Sequence, residues 1–264
     1  MDWLQVFVLA IIQGLTEFLP VSSSAHLIFP SQLLGWPDQG LAFDVAMHVG
    51  SLAAVIVYFR QDIRNMTQAW FGSVFHRQHT PESHMAWAVI WATIPAGLAG
   101  LLFGGFIEEN LRSMTVIACT TLIFGLLLGF ADRKGSSDVV ELTWKVVAVI
   151  AFAQALALIP GTSRSGVTMT AALLMGLNRQ ASAQFSFLLS IPLIVAAGAL
   201  LGLEAVQSGI AIDWLQMTVA TLVSAITAYL CIHYFLKLIN QIGFMPFVVY
   251  RLLLAAGLFW MVLS

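Results

Sequence analysis

Two long apolar segments of this chain are each interrupted near the middle by proline, glycine and hydroxyl residues. The first spans residues 3–35 and is broken at 20–24, where the sequence reads Pro-Val-Ser-Ser-Ser. The second spans residues 144–177 and is broken at 160–166, where it reads Pro-Gly-Thr-Ser-Arg-Ser-Gly. A helix needs about 20 apolar residues to cross a bilayer, and irregular backbone survives at membrane depth only where protein or water satisfies it. The pattern therefore predicts two re-entrant helical hairpins, each entering and leaving on one side of a membrane.

The rest of the chain holds six uninterrupted apolar runs long enough to span a bilayer. Only 9% of the residues are charged and 59% are hydrophobic, whereas soluble domains carry about 25% charged residues. The net charge of −2 offers no basic face for nucleic acid. We predict an all-α polytopic membrane protein with a single transmembrane domain over residues 1–264. The predicted spans are 42–59, 86–106, 114–130, 184–203, 214–236 and 246–263.

The two interrupted segments resemble each other at positions about 140 residues apart, and four matches in the same order indicate a duplication. We place repeat 1 at about 1–130 and repeat 2 at about 144–264. Each repeat holds one hairpin and three spans, and because three is odd, the second repeat is inverted relative to the first. Inverted repeats with broken helices are known in transporters. The matching pairs are Gln13 with Gln154, Pro20–Ser23 with Pro160–Ser163, Leu33–Gly35 with Leu174–Gly176, and Phe43 with Phe185.

Lysine and arginine are concentrated in the connections after the first, third and fifth predicted spans, whereas the connections 107–113 and 204–213 lack such an excess. Cytoplasmic loops are rich in these residues, so we place the rich connections in the cytoplasm and both chain termini outside. The two hairpins then enter from opposite sides, and their tips can meet inside the membrane. The stretch with Arg60, Arg64 and Arg77 is interpreted as a polar loop. The remaining cations of the rich connections are Arg133, Lys134, Lys145 and Lys237.

The second interruption carries the side chains of a phosphate-binding site. A central arginine costs about 3 kcal/mol on membrane-insertion scales, so Arg164 needs an anionic partner, and a guanidinium binds phosphate bidentately. A helix that begins after the interruption would point its positive end at the same place. The other interpretation is a structural turn in which Arg164 pairs with a carboxylate. The predicted phosphate ligands are Gly161, Ser163, Arg164, Ser165 and Thr168.

The first interruption carries residues that suit a nucleophile and a cation. Glu17 is an acid inside an apolar segment, which by default suggests a functional role. Gln13 lies four residues earlier on the same helical face, so both oxygens can ligate a hard cation or orient an imidazole. Ser23 and His26 are three residues apart, close enough on a helical turn for the histidine to activate the serine. The alternatives are helix capping by the serines and an interior histidine with satisfied hydrogen bonds.

Three further polar residues lie in the predicted spans. Asp44 and His48 share a helical face in the first span and either support the site or form a solvated pair at its rim. Arg251 lies about one turn into the last span, and we expect it to snorkel to the membrane surface. Pairing inside the protein is the alternative for Arg251.

At these residues the sequence resembles the undecaprenyl-diphosphate phosphatase family, the bacitracin-resistance phosphatases of bacterial membranes. The (E/Q)xxxE motif of that family is matched by Gln13–Glu17, and its long and specific PGxSRSxxT motif by Pro160–Thr168. The resemblance extends to Phe18–Ser23, His26 and Phe185–Leu189, so it covers essentially the whole chain. Family members often have Glu at the first position of the first motif, where this chain has Gln.

The resemblance implies hydrolysis of undecaprenyl (C55) diphosphate to undecaprenyl phosphate and inorganic phosphate, which recycles the lipid carrier for cell-wall synthesis and gives bacitracin resistance. It also implies a bacterial inner-membrane location, an active site facing the periplasm, and a divalent cation, Mg²⁺ or Ca²⁺. The implied partners are the prenyl diphosphate lipid and the bilayer, with a homodimer as a further expectation.

On this interpretation the catalytic residues are Ser23, His26, Glu17 and Arg164. Ser23 attacks the phosphorus with His26 as general base, or a water activated by His26 or Glu17 attacks instead. Arg164 neutralises charge on the transferred phosphoryl group. Glu17 holds the cation with help from Gln13, or it fixes the tautomer of His26.

Two other functions fit parts of the sequence. A transporter or flippase for a prenyl phosphate or another anionic lipid would also use inverted repeats and broken helices. Phosphate release distinguishes the phosphatase, because transport breaks no bond. A structural membrane scaffold would explain the spans but not Arg164 beside serines at membrane depth.

Overall fold

The computed structural model describes residues 1–37, 39–134, 141–207 and 213–263, and every regular element in these ranges is helical. A 3₁₀ turn, Leu156–Leu158, continues the seventh helix toward the second interruption. The helices are α1 (Trp3–Thr16), α2 (Ser23–Leu34), α3 (Leu41–Tyr58), α4 (Arg60–His76), α5 (Pro81–Asn110), α6 (Met114–Lys134), α7 (Trp144–Ala155), α8 (Arg164–Leu174), α9 (Arg179–Gln207), α10 (Trp214–Ile242) and α11 (Met245–Leu263).

Six of the described helices are long and apolar enough to cross a bilayer, which confirms the predicted set of spans: α3, α5, α6, α9, α10 and α11. Some helices continue beyond the predicted runs, because their ends carry polar residues that a hydropathy window leaves out. Helix α5 reaches Asn110 and α9 reaches Gln207, so the connections predicted at 107–113 and 204–213 are shorter than expected. Residues 208–212 of the second connection lie outside the described residues.

The two interrupted segments fold as the helical pairs α1–α2 and α7–α8. The residue before the second helix of each pair is a serine with positive φ, 75° at Ser22 and 70° at Ser163. The residue after α2 is Gly35, with φ of 64°, and Gly176 follows α8 with φ of 95°. The serine and the glycine are equally far apart in both segments, so the two pairs share one backbone pattern.

The prediction of a polar loop between the first two spans was wrong, because residues 60–76 form α4. Arg77 ends this helix with φ of 54°, and Thr80 caps the start of α5 through its side chain. Helix α4 packs against α5, where the indole of Trp87 donates to the hydroxyl of Ser73 at 3.0 Å. A search for long apolar runs misses such a helix, because its first turn is charged and polar residues interrupt its apolar ones.

Small residues allow α1 and α3 to approach α10 closely. A Cβ atom added at Gly14 would lie 2.7 Å from the carbonyl oxygen of Ser224, and one added at Gly50 would meet the carbonyl of Thr221. The hydroxyls of Ser51 and Ser224 lie 3.0 Å apart between these helices. Because helices in lipid associate through close packing and hydrogen bonds, this contact holds α1, and the interruption that follows it, against the spans.

Candidate active site

The two interruptions, far apart in sequence, touch in the folded protein. Arg164 begins α8 and donates through Nη2 to Oε1 of Glu17, just after α1, at 3.0 Å. The hydroxyl of Ser165 donates to the carbonyl oxygen of Leu19 at 2.8 Å. The convergence predicted for the two segments is therefore present in the structure.

Glu17 is the centre of a hydrogen-bond network and is 9% exposed. Its Oε2 accepts hydrogen bonds from Ser23 Oγ at 2.9 Å and from Gln13 Nε2 at 3.0 Å. His48 Nε2 lies 3.7 Å from the same oxygen. A buried carboxylate is stabilised by charge-assisted hydrogen bonds of this kind, so the network holds the negative charge of Glu17 beside the positive charge of Arg164.

Two helices begin where the interruptions meet, α2 at Ser23 and α8 at Arg164. Ser163 is the N-cap residue of α8, and its Oγ accepts from the backbone N–H of Gly166 at 3.2 Å. The first turn of a helix has N–H groups without intrahelical partners, and its start carries a partial positive charge. The two helix starts therefore give this region hydrogen-bond donors and positive potential, which suit an anion.

A cavity of about 910 Å³ opens at this point. One end is polar and includes Glu17, His48 and the serine runs 22–24 and 163–165. The remaining wall is largely apolar, apart from Arg112 and Glu204, and comes mainly from α3, α5 and α9. The glycines of this wall are Gly100, Gly104, Gly105 and Gly198.

Three of the five predicted phosphate ligands line the cavity: Ser163, Arg164 and Ser165. Thr168 lies behind them, because its hydroxyl donates to the carbonyl of Arg164 at 2.9 Å and lies 2.7 Å from the hydroxyl of Ser186. Gly161 faces α6 instead, with φ of 86°, and a Cβ there would lie 2.6 Å from the carbonyl oxygen of Ile117. These two residues support the turn that presents the other three.

The side chain of His26 forms its hydrogen bonds with residues other than Ser23. Its Nδ1–H donates to the carbonyl oxygen of Ser22 at 2.7 Å, and its Nε2 lies 2.5 Å from the hydroxyl of Tyr250. A neutral imidazole with its proton on Nδ1 accepts at Nε2, so the Tyr250 hydroxyl is the donor there. Both ring nitrogens are thus engaged, and Ser23 forms its hydrogen bond with Glu17.

His48 is the histidine that the structure brings to Glu17. Its Nδ1–H donates to the carbonyl oxygen of Asp44 at 2.8 Å, which leaves Nε2 on the side of the carboxylate. Asp44 and His48 both line the cavity. Of the two interpretations that the sequence left open for this pair, the structure supports a place in the wall of the site.

The expectation that Arg251 snorkels was wrong, because its side chain is 0% exposed. Its guanidinium donates to carbonyl oxygens of both interruptions, which is the alternative of internal bonding. The five N–H donors of an arginine suit a place where broken helices leave several carbonyls without partners. The acceptors are Pro20 at 3.2 Å, Thr162 at 3.1 Å, Gly161 at 2.9 Å and Thr121, in α6, at 3.3 Å.

The residues around Glu17 fit a hard divalent cation that takes part of its coordination shell from phosphate oxygens. Within the described ranges, no group of three or more His, Cys, Asp or Glu side chains is placed to hold a metal ion. Gln13 is fully buried beside Glu17, and its Oε1 has no hydrogen-bond partner. Mg²⁺ is usually bound through one or two carboxylates together with substrate phosphates and water. Glu17 supplies the carboxylate, and Gln13, which turns Nε2 toward Glu17, would have to turn its amide over to offer Oε1 to the same ion.

Fold and site together define a polytopic helical membrane protein with charged and polar residues gathered where two broken helical segments meet. The family model of the bacitracin resistance protein BacA matches residues 6–257, and the chain belongs to that family. It is similar to the undecaprenyl-diphosphatase of Hahella chejuensis, with 61% identity over 259 residues, 98% of this chain and 97% of the relative. It is also similar to the undecaprenyl-diphosphatase of Saccharophagus degradans, with 59% identity over 264 residues and 99% of each chain covered.

Removing one partner of the Glu17–Arg164 pair should destabilise the protein strongly, because the other charge is left buried and unpaired. Breaking a buried ion pair in this way costs about 3–5 kcal/mol. We expect Glu17→Gln and Arg164→Met each to lower the thermal unfolding temperature in detergent. The double variant should lower it by less than the sum of the two single effects. As a control, Arg179→Met breaks the separate 2.6 Å pair with Asp132 and should add to Glu17→Gln. Additive effects of Glu17→Gln and Arg164→Met would contradict the coupling.

Proposed function

We propose that this chain hydrolyses undecaprenyl diphosphate to undecaprenyl phosphate and inorganic phosphate, and so recycles the lipid carrier for cell-wall synthesis. This is the activity named for the relatives that match its whole length. The observation that carries the proposal is the 3.0 Å contact between Arg164 and Glu17 at the polar end of a cavity whose other wall is apolar. A lipid diphosphate needs both surfaces in one cavity, since its headgroup is anionic and its chain is hydrocarbon.

The diphosphate binds at the polar end, between the starts of α2 and α8. Arg164 donates one hydrogen bond to Glu17 and one to the carbonyl oxygen of Ser186. Because a guanidinium has five N–H donors, others remain for phosphate. The hydroxyl of Ser163 and the first-turn amides of α8 add further donors, whereas the proton of Ser165 Oγ is donated to the carbonyl oxygen of Leu19. Catalysis of phosphoryl transfer consists mostly of positioning and charge stabilisation, and these groups provide both.

Ser23 is the nucleophile that the contacts favour, with Glu17 as the group that receives its proton at 2.9 Å. Ser23 Oγ bonds to the terminal phosphorus while its proton moves to Glu17 Oε2. The bond from that phosphorus to the bridging oxygen breaks, and the lipid monophosphate leaves with the electron pair. Water then attacks the phosphoserine, the bond between phosphorus and Ser23 Oγ breaks, and dihydrogen phosphate leaves while the proton held by Glu17 returns to Ser23 Oγ.

His26 serves this mechanism as a positioning residue. It links the carbonyl of Ser22 to the hydroxyl of Tyr250, and so fixes the turn that carries Ser23. The rival mechanism keeps His26 as a general base that activates a water for direct attack. That mechanism requires Nε2 to release Tyr250 first.

A Mg²⁺ or Ca²⁺ ion would be held by Glu17 and Gln13 together with phosphate oxygens. When bound, the ion supplies charge neutralisation to the diphosphate. The neutral amide of Gln13 makes this a site with one protein carboxylate, so the phosphate oxygens provide the rest of the negative charge.

The prenyl chain leaves the headgroup site along α5 and α9, which form the apolar wall. A Cβ atom added at Gly104, Gly105 or Gly198 would have nothing within 4 Å, so helix packing does not require these glycines. Their lack of side chains keeps the wall open for a long hydrocarbon chain.

The chain resides in the bacterial inner membrane, with both termini and the cavity on the periplasmic side. The support is the distribution of cations. Arg60 and Arg64 follow the end of α3, and Arg133 and Lys134 end α6, whereas the cavity is lined by the start of α3. Cytoplasmic ends of spans are rich in such residues.

Phosphate release from undecaprenyl diphosphate by the purified protein in detergent tests the activity, and a chelator should lower the rate. Arg164→Lys should lose about 10²–10³-fold in rate, the usual effect of removing one preorganised donor, because an ammonium cannot replace the planar fork. Arg179→Lys, far from the cavity, is the control and should keep its rate. An inactive wild-type protein would refute the phosphatase, and a near-wild-type Arg164→Lys would refute the role of Arg164.

Rapid-quench analysis of the wild-type protein tests the nucleophile. We expect a phosphorylated Ser23 to be trapped, and Ser23→Ala to be nearly inactive because the attacking oxygen is gone. His26→Ala should lose less activity than Ser23→Ala, because Glu17 takes the proton. If Ser23→Ala stays active while His26→Ala does not, water is the nucleophile.

Substrates of different chain length test the apolar wall. We expect Gly198→Leu to raise the KM for C55 diphosphate while leaving that for a C15 diphosphate almost unchanged, because only the long chain reaches along α9. Gly257→Leu, on α11 and also with free space around it, is the control. Equal effects of Gly198→Leu on the KM of both substrates would show that the prenyl chain does not run along α9.

Cysteine labelling in whole cells tests the orientation, starting from a variant without Cys119 and Cys231. A membrane-impermeant thiol reagent added from the periplasm should label Ser24→Cys, which lines the cavity. It should not label Gln61→Cys, which is exposed on α4. The reverse result would invert the proposed topology.

A further inference from the structure

Arg251 is a buried cation that the chemistry proposed above does not use. Its side chain is 0% exposed, and its hydrogen bonds go to main-chain carbonyl oxygens. Among the described residues, no carboxylate lies within ion-pair distance of it. A full charge at membrane depth that is bonded only to dipoles suggests a functional role.

The carbonyls bound by Arg251 come mainly from the incoming sides of the two interruptions. Pro20 follows α1, and Gly161 and Thr162 follow the 3₁₀ turn after α7. The C-terminal end of a helix carries unpaired carbonyls and a partial negative charge, and the N-terminal end carries the opposite. In each interruption, the carbonyl oxygens that carry the partial negative charge therefore bind Arg251. The helix start that follows, which carries the partial positive charge, lies at the cavity.

The guanidinium lies directly behind the phosphate site. A Cβ added at Gly166 would be 3.2 Å from Arg251 Nη1 and 3.1 Å from Ser163 Oγ, so the charge and a cavity-lining hydroxyl flank one backbone position. Arg164 is already balanced by Glu17. Of the cations described at the two interruptions, Arg251 is the one whose charge has no carboxylate to offset it.

We propose that Arg251 is a positioning residue for diphosphate binding, which holds the two interruptions in register and raises the affinity of the cavity for phosphate through its charge. The inference rests on the proposed function and extends it to a residue outside both sequence motifs. Two glycines on α6 provide a way to disturb Arg251 without removing it.

Gly125 and Gly129 both pack against α11, one turn apart, and each would bring a Cβ to 3.1 Å from a side chain there. At Gly125 that side chain is Arg251, and at Gly129 it is Val248. Gly125→Ala and Gly129→Ala therefore both crowd this helix pair, but only Gly125→Ala sets its methyl against the arginine, 3.1 Å from Cβ and 3.4 Å from Nε of Arg251.

The measurement is binding of inorganic pyrophosphate to the full-length protein in detergent by calorimetry, with thermal unfolding and the KM and kcat for undecaprenyl diphosphate beside it. We expect Gly125→Ala to weaken pyrophosphate binding and raise KM on the order of tenfold, as loss of a nearby, partly screened charge would. Gly129→Ala should show a similar unfolding temperature and unchanged binding. Arg251→Lys should bind pyrophosphate more tightly than Arg251→Gln, because it keeps the charge.

Equal pyrophosphate affinities of Gly125→Ala and Gly129→Ala would overturn the proposal, and so would a folded Arg251→Gln that binds like the wild type. If Arg251→Gln does not fold, the comparison of pyrophosphate affinity between Gly125→Ala and Gly129→Ala decides the question. Because pyrophosphate binding needs no turnover, this result is separate from that of the proposed function, which fails only if the wild-type protein releases no phosphate.

Discussion

A helix that breaks at membrane depth must find a partner for every backbone group it exposes, and the centre of this structure is organised by that requirement. Arg251 binds the carbonyls of Pro20, Gly161 and Thr162, and Thr120 binds that of Pro160 at 2.6 Å. The interruptions satisfy each other and the spans around them. They form one site because neither would be stable in lipid alone.

The same requirement explains why the chemistry lies where it does. Each interruption releases carbonyls on its incoming side and amides on its outgoing side, and the structure gathers the carbonyls around Arg251 and the helix starts α2 and α8 around the cavity. In surroundings of low dielectric constant, preorganised donors stabilise charge more strongly than they would in water. The Glu17–Arg164 pair then orients a carboxylate beside the hydroxyl of Ser23, the nucleophile that we propose.

Hydropathy predicted the six spans and the two broken segments, because span length and helix interruption are local properties of the chain. It missed α4, whose first turn is charged and whose apolar residues are interrupted by polar ones, and it placed Arg251 at the membrane surface. Hydropathy treats an arginine near the end of a span as free to reach water. It contains no information about carbonyls that arrive from other helices.

The sequence by itself predicted that Glu17 and the serine-rich second motif belong to the functional site, because charged residues are costly at membrane depth and the motif spacing is specific. Only the tertiary structure decided which groups meet. The rotation of α2 about its axis directs Ser23 toward Glu17 and His26 toward Tyr250. The packing of α3 places His48 near the carboxylate of Glu17. These pairings depend on helix rotation and on the positive φ of single residues in the turns. Residue spacing along a chain specifies neither of them.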